Sequence, residues 1–212
     1  MEIHPPSEPI HNWRDLLIHL GVITIGLFIA LSLESLVEYI HHRHIVREAR
    51  ENIRLEIEEN HMAAQMDAKS LQDDIDLEQK NIDNIQLLRK HPKDFHGYGS
   101  ISNTMSLTAP QDSAWRTARD SGALTYMPYD EVQRYSNIYM RESLVISHAI
   151  STGEHDFLAG APLRMGYDAT DLPPAQYDRL LQLNSEVLIE LTVLKGFVQE
   201  LDNSCVEELK AQ

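Results

Sequence analysis

The sequence predicts an all-α protein in which an N-terminal transmembrane helix continues into a long helix packed in an up-and-down four-helix bundle. Three observations carry that expectation. The first is an apolar run, LLIHLGVITIGLFIALSL over residues 16–33, in which only His19 can ionise. The second is the stretch from Tyr39 to Arg89, which contains neither Pro nor Gly and repeats its apolar residues at helical spacing. The third is a C-terminal segment whose apolar residues step by three and four, the pattern of a heptad seam. No segment alternates convincingly enough to predict a strand, and no internal repeat is present.

Residues 1–15 read as a short tail and 16–38 as the transmembrane helix. At about 1.5 Å per residue the apolar run covers about 27 Å, close to the ~30 Å hydrocarbon thickness of a bilayer. Trp13 before it and Tyr39 after it stand where an aromatic belt forms, and Arg43 follows at the same interface. A cleavable signal peptide would carry a basic leader, whereas Met1 to Asp15 holds only Arg14 against Glu2, Glu8 and Asp15. A soluble core helix would alternate with polar positions, which this one hardly does before Glu34. His19 and Glu34 lie near opposite ends of the run, where a side chain can reach headgroups or water. The Gly26 and Ala30 pair permits close approach of a second helix in lipid.

Residues 39–212 form the bundle domain, with a loop at 91–110. Along Tyr39 to Arg89 one face carries Ile45, Ala49, Ile53, Ile57, Ala64, Ala68, Leu71, Ile75, Ile82 and Ile85. Such a helix is about 75 Å long, so it must pack along other helices or other chains. The text HPKDFHGYGSISNTMSLTAP then breaks it with two prolines, two glycines and clustered Ser, Thr and Asn. Asp112 suits an N-cap, SAWRTARDS a short helix, and Gly122 its C-terminal stop. Pro128 opens a third helix with Val132, Tyr135, Tyr139, Ile146 and Ile150 on one side, closed by Gly153, Gly160 and Pro162. Pro174 opens the last, whose seam runs through Tyr177, Leu180, Asn184, Val187, Leu191, Leu194, Val198, Leu201 and Cys205. Asn184 either fixes register from within the seam or faces solvent after helix rotation.

Composition narrows the function classes. The 18 Lys and Arg stand against 33 Asp and Glu, a formal charge of -15 over 212 residues, which disfavours binding of nucleic-acid phosphates. A single cysteine, Cys205, allows no intramolecular disulfide and no cysteine-based zinc site. His41, His44 and Glu48 share one helix face at i, i+3, i+7 and are weak candidates for metal ligands. One face of one helix rarely completes a site, and the same HHRH cluster with Arg43, Arg47 and Arg50 suits lipid headgroups or solvent better. Glu38 with His41 and Glu58 with His61 both match Glu-x-x-His, yet di-iron bundles need the two copies on different helices. No nucleophile elbow, phosphate loop or nucleotide fingerprint is present, so neither catalytic nor cofactor-binding residues are expected. Trp115 and the tyrosines at 126, 129, 135 and 139 read as core and cap packing rather than a ligand pocket.

Two segments carry a resemblance. The run ITIGLFIALSLE from Ile23 to Glu34, flanked by Trp13 and the His-rich turn, and the segment AWRTARDSGALTYM from Ala114 to Met127 resemble an uncharacterised family of single-pass bacterial membrane proteins. The family pairs an N-terminal anchor with a helical domain. The resemblance covers about a fifth of the chain. It implies a bacterial inner membrane and no particular activity.

The expected function is a membrane-anchored interaction or scaffold module without catalysis, the alternative being a sensor-like bundle that binds a small ligand and signals through the membrane helix. Expected partners are the lipid bilayer and either a second copy or another membrane protein. Ile45, Ile53, Ile57 and Asn184 are the expected association residues, the isoleucines because the long first and last helices leave apolar stripe uncovered by the shorter ones between them. The excess of Arg43, Arg47, Arg50 and Arg54 over Arg14 tilts the bundle toward the cytoplasmic side, although Glu48 and Glu51 blur that flank.

Overall fold

The computed structural model describes residues 13–91, 105–161 and 172–211. Most of the expected tail, the centre of the expected loop and Pro162 lie outside the described residues. Those described form no strand and four α-helices: α1 (Trp13–Lys90), α2 (Ser113–Asp120), α3 (Tyr129–Ala159) and α4 (Pro174–Ala211). A short 3-10 turn, Ala123–Tyr126, joins α2 to α3.

The apolar run and the first bundle helix are a single helix of 78 residues. Nothing in the sequence interrupts it, since no proline occurs between Trp13 and Lys90. Its N-terminal part is long and apolar enough to cross a membrane, and none of that stretch is buried against the rest of the chain. Burial begins at Val46 and then continues to Leu88.

Cross-links between elements fix the topology. His61 meets Asp202 and Arg89 meets Asp178, so α4 runs antiparallel to α1. Arg50 meets Glu131 and Asn60 meets Glu142, so α3 runs parallel to α1. The chain therefore has to travel back along α1 before α3 begins. Thr108, Gln111 and Ala114 pair in turn with Asp67, Asn60 and Glu56, and this return leg is an extended strap that winds into α2. The bundle is up-and-down, and among the described residues its second leg is a non-helical strap over 105–112 followed by α2 and the 3-10 turn. α4 lies against both α1 and α3.

The predicted faces of α1 and α4 are the ones buried. Ala49, Ile53, Ile57, Ala64, Leu71, Ile82 and Ile85 lie in the core, with Ile45, Ala68 and Ile75 half-buried beside it. Every seam residue of α4 from Tyr177 to Cys205 is buried, Asn184 among them. On α3 the face is rotated from the expected one. Tyr135 and Tyr139 are buried, but Ile146 and Ile150 are exposed, and the seam runs on through Ile138, Glu142, Val145 and Thr152. Two polar residues on that seam disguise it. Gly153 does not stop α3, which continues to Ala159, since an isolated glycine weakens a helix without ending it.

The expected association residues are not an uncovered face: Ile45 is half-buried and Asn184 is buried. Ile53 and Ile57 are fully buried within one chain, so this stretch is no uncovered stripe. α3 starts level with Arg50, through the Glu131 pair, α2 sits on Glu56, and α4 runs along α1, so the stretch around Ile53 and Ile57 is covered from within the chain.

Candidate functional site

Two features stand out: a buried polar seam between α1, α3 and the strap, and a basic cleft where α1 emerges from its apolar stretch.

The polar seam follows a heptad line on α1. Glu56 is a buried carboxylate that accepts from Ser113 Oγ at 2.8 Å, from the Ala114 and Trp115 amides at 2.7 and 3.3 Å, and from the Tyr139 hydroxyl at 2.8 Å. The amides are those of the first turn of α2, which have no acceptor within their own helix. A side chain from another helix therefore caps α2, and the expected cap Asp112 makes no capping bond but pairs with Arg116 at 2.9 Å. One turn on, Asn60 accepts from the Gln111 amide at 2.8 Å and donates to the Gln111 carbonyl at 2.7 Å, as a neighbouring strand would. The same Nδ2 donates to Glu142 at 2.8 Å. Asp67, seven residues further, accepts from the Thr108 amide at 3.0 and 3.1 Å. Seven helical residues rise about 10.5 Å and three extended residues about 10 Å, which is why Asn60 and Asp67 match Gln111 and Thr108.

Burial governs the protonation of this seam. It pushes the Glu142 carboxyl up to about 9, opposed by the Asn60 hydrogen bond and reinforced by the charge of Glu56. Glu142 is therefore protonated at neutral pH. Burial likewise raises the Tyr139 hydroxyl, with Glu56 adding to it, and pushes the Cys205 thiol up to about 12. Cys205 is thus an inert buried thiol. Further along α1, burial lifts Glu78 to about 7 while Asn81 donates to it at 2.8 Å. Trp115 stacks on Tyr139, ring centroids 5.1 Å apart, and so closes the seam.

The basic cleft has a volume of about 800 Å³. One wall is α1 from Tyr39 to Arg50, and the other is Tyr126, which ends the 3-10 turn, with Pro128, which caps α3. His42 stacks on Tyr126 with ring centroids 3.7 Å apart, and the Arg43 guanidinium lies 5.7 Å from the Tyr39 ring centre. Gly122, at φ +77, makes the reversal that brings the 3-10 turn back against α1; a left-handed backbone of this kind favours glycine. Arg50 is held in a two-pronged pair with Glu131 at 2.6 and 2.7 Å.

The other singled-out residues are dispersed. His44 lies 3.7 Å from Glu48, both well exposed, while the ring centres of His41 and His42 are 6.1 Å apart. Among the described residues no group of three His, Cys, Asp or Glu is placed to hold a metal. Trp13 and Tyr39 are exposed at the two ends of the apolar stretch. Asn184 is inside the seam, but its Nδ2 donates to the Leu180 carbonyl of its own helix at 2.8 Å and its Oδ1 is buried without a partner. Glu56, Asn60, Asp67 and Glu142 escape a sequence reading because apolar periodicity is blind to polar seam positions. Their spacing of four, seven and seventy-five residues is visible only in part, as a polar register on the apolar face of α1. No family model, curated protein or solved structure matches the chain.

Proposed function

We propose that the chain is a single-pass protein of the bacterial inner membrane whose bundle serves as an interaction or scaffold module without catalysis of its own. One observation carries the reading: the exposed apolar stretch and the first bundle helix are one continuous helix, so an anchor there would hold the bundle at a set height and orientation. Trp13 and Tyr39 stand one at each end of that stretch, as interfacial anchors do. The partner is a second copy or another membrane protein. With Ile53 and Ile57 occupied in the core, the apolar side chains left exposed outside the anchor include Ile150, Phe157 and Leu158 of α3 and Ile189 of α4. Chemical cross-linking in intact membranes, followed by the detergent-corrected mass of the full chain, tests the association. A dimer, a higher oligomer or a constant membrane-protein partner is expected, and a strict monomer at all concentrations would refute it.

A further inference from the structure

We propose that the cleft between residues 39–50 of α1 and the Tyr126–Pro128 wall binds the headgroup of an anionic phospholipid. This deepens the membrane reading and rests on it.

The charge of the cleft suits an anion. The chain carries a formal charge of -15, yet among the described residues no acidic side chain lines this cleft, whereas Arg43, Arg47 and Arg50 do. Arg50 is neutralised by Glu131, and Glu48 lies on the exposed flank beside His44. Arg43 and Arg47 keep their positive charge available, with His42 and Tyr126 forming a stacked side wall. A guanidinium offers paired donors that match a phosphodiester oxygen pair, and an aromatic edge suits the interface between headgroup and acyl chain.

The height of the arginines suits the headgroup layer. With the membrane helix ending at residue 38, Arg43 lies about 7 Å beyond the span and Arg47 about 13 Å beyond it. The headgroup layer adds roughly 5 to 7 Å to each side of the hydrocarbon core. Side chains on a helix lean toward its N-terminus, which here is toward the bilayer, so the lean brings Arg47 down toward the headgroup layer and sets Arg43 deeper within it. The Ile40 side of the cleft meets the acyl-chain boundary. A free phosphate would meet the charges but leave this apolar floor unused; a lipid uses both.

The test takes the full chain in dodecyl maltoside, supplied with phosphatidylglycerol or phosphatidylcholine of the same acyl chains, and reads retained lipid by native mass spectrometry. The wild type should retain phosphatidylglycerol at least about tenfold over phosphatidylcholine, and the double variant Arg43→Gln with Arg47→Gln should lose that preference while keeping its helicity. Tyr126→Ala, which removes the wall without touching charge, should lower retention as well. Equal retention of the two lipids by the wild type, or an unchanged preference in the double variant, would overturn the proposal. Complete displacement of phosphatidylglycerol by millimolar glycerol 1-phosphate would overturn it too, by assigning the cleft to a soluble anion. Membrane fractionation of the same preparation separates the two readings: a chain that is integral to the membrane but shows no lipid preference leaves the anchor standing and removes only the headgroup site.

Discussion

Tyr139 of α3 donates its hydroxyl to Glu56 of α1 at 2.8 Å, and that same carboxylate caps the first turn of α2. One buried side chain thus ties three elements together, and it does so at the level where α1 and α3 meet through polar groups rather than through a shared apolar ridge. The carboxylate is tolerated there because each approach to it is a donor.

Glu56→Ala should therefore cost more than an ordinary surface cap. It removes the acceptor for two amides and two hydroxyls, and we expect a loss of about 2 to 4 kcal/mol. Denaturant unfolding of the domain gives the figure, and the near-ultraviolet circular dichroism of Trp115, stacked on Tyr139, reports the local loosening. Glu56→Gln keeps an acceptor and should cost less.

Glu142 sets a pH dependence whose sign follows from its raised value. The folded chain keeps the proton up to about 9, whereas the unfolded chain releases it near the ordinary carboxyl value of 4.5. Between those limits the native state binds more protons, so the stability that Glu142 contributes is complete below 4.5 and is lost as pH rises through 9. Glu78, lifted to about 7, pulls in the same direction over the lower half of that window. The thermal midpoint of wild type should fall by several degrees from pH 5 to pH 9, and Glu142→Gln, neutral throughout, should flatten the decline.

The strap is held to α1 through side chains at Asn60 and Asp67, and its attachment can be read at single amides. Asn60→Ala leaves the Gln111 amide without its acceptor. Exchange of the Gln111 amide hydrogen should accelerate about tenfold to a hundredfold, as a loss of roughly 1 to 3 kcal/mol implies. The amides of α4 should exchange as before, because α4 packs on α1 through the apolar seam.

Much of the architecture was legible because apolar spacing reports apolar packing. Leu180, Val187, Leu191, Leu194 and Val198 all occupy the predicted seam of α4, and Ile53, Leu71 and Ile85 the predicted face of α1. The α3 seam was harder to see, since Glu142 and Thr152 occupy seam positions that a reading by hydrophobicity assigns to solvent, leaving Ile146 and Ile150 to suggest a rotated face. The strap was legible only as a helix break around Pro110. What holds it is the return pairing of Thr108 and Gln111 with residues more than forty positions earlier, and no local signal encodes a partner at that distance. The basic cleft was half visible, as HHRH and its arginines on α1; Tyr126 and Pro128 join it through the fold alone.

Burial of Ile53 and Ile57 makes their substitution a test of the core. Either residue replaced by Asp places an unpaired charge where the side chain has no solvent contact, so Ile53→Asp should destabilise the bundle by more than about 4 kcal/mol. Far-ultraviolet circular dichroism through a thermal ramp checks this. A well-folded variant that has merely lost assembly would mean that these isoleucines face another chain.

The central claim is the anchor, and alkaline carbonate extraction of membranes from cells expressing the full chain tests it most directly. The chain should stay with the membrane pellet through the alkaline wash and be released by detergent, and deletion of residues 16–38 should move a still-helical domain into the supernatant. Release of the full chain by carbonate alone would contradict the account.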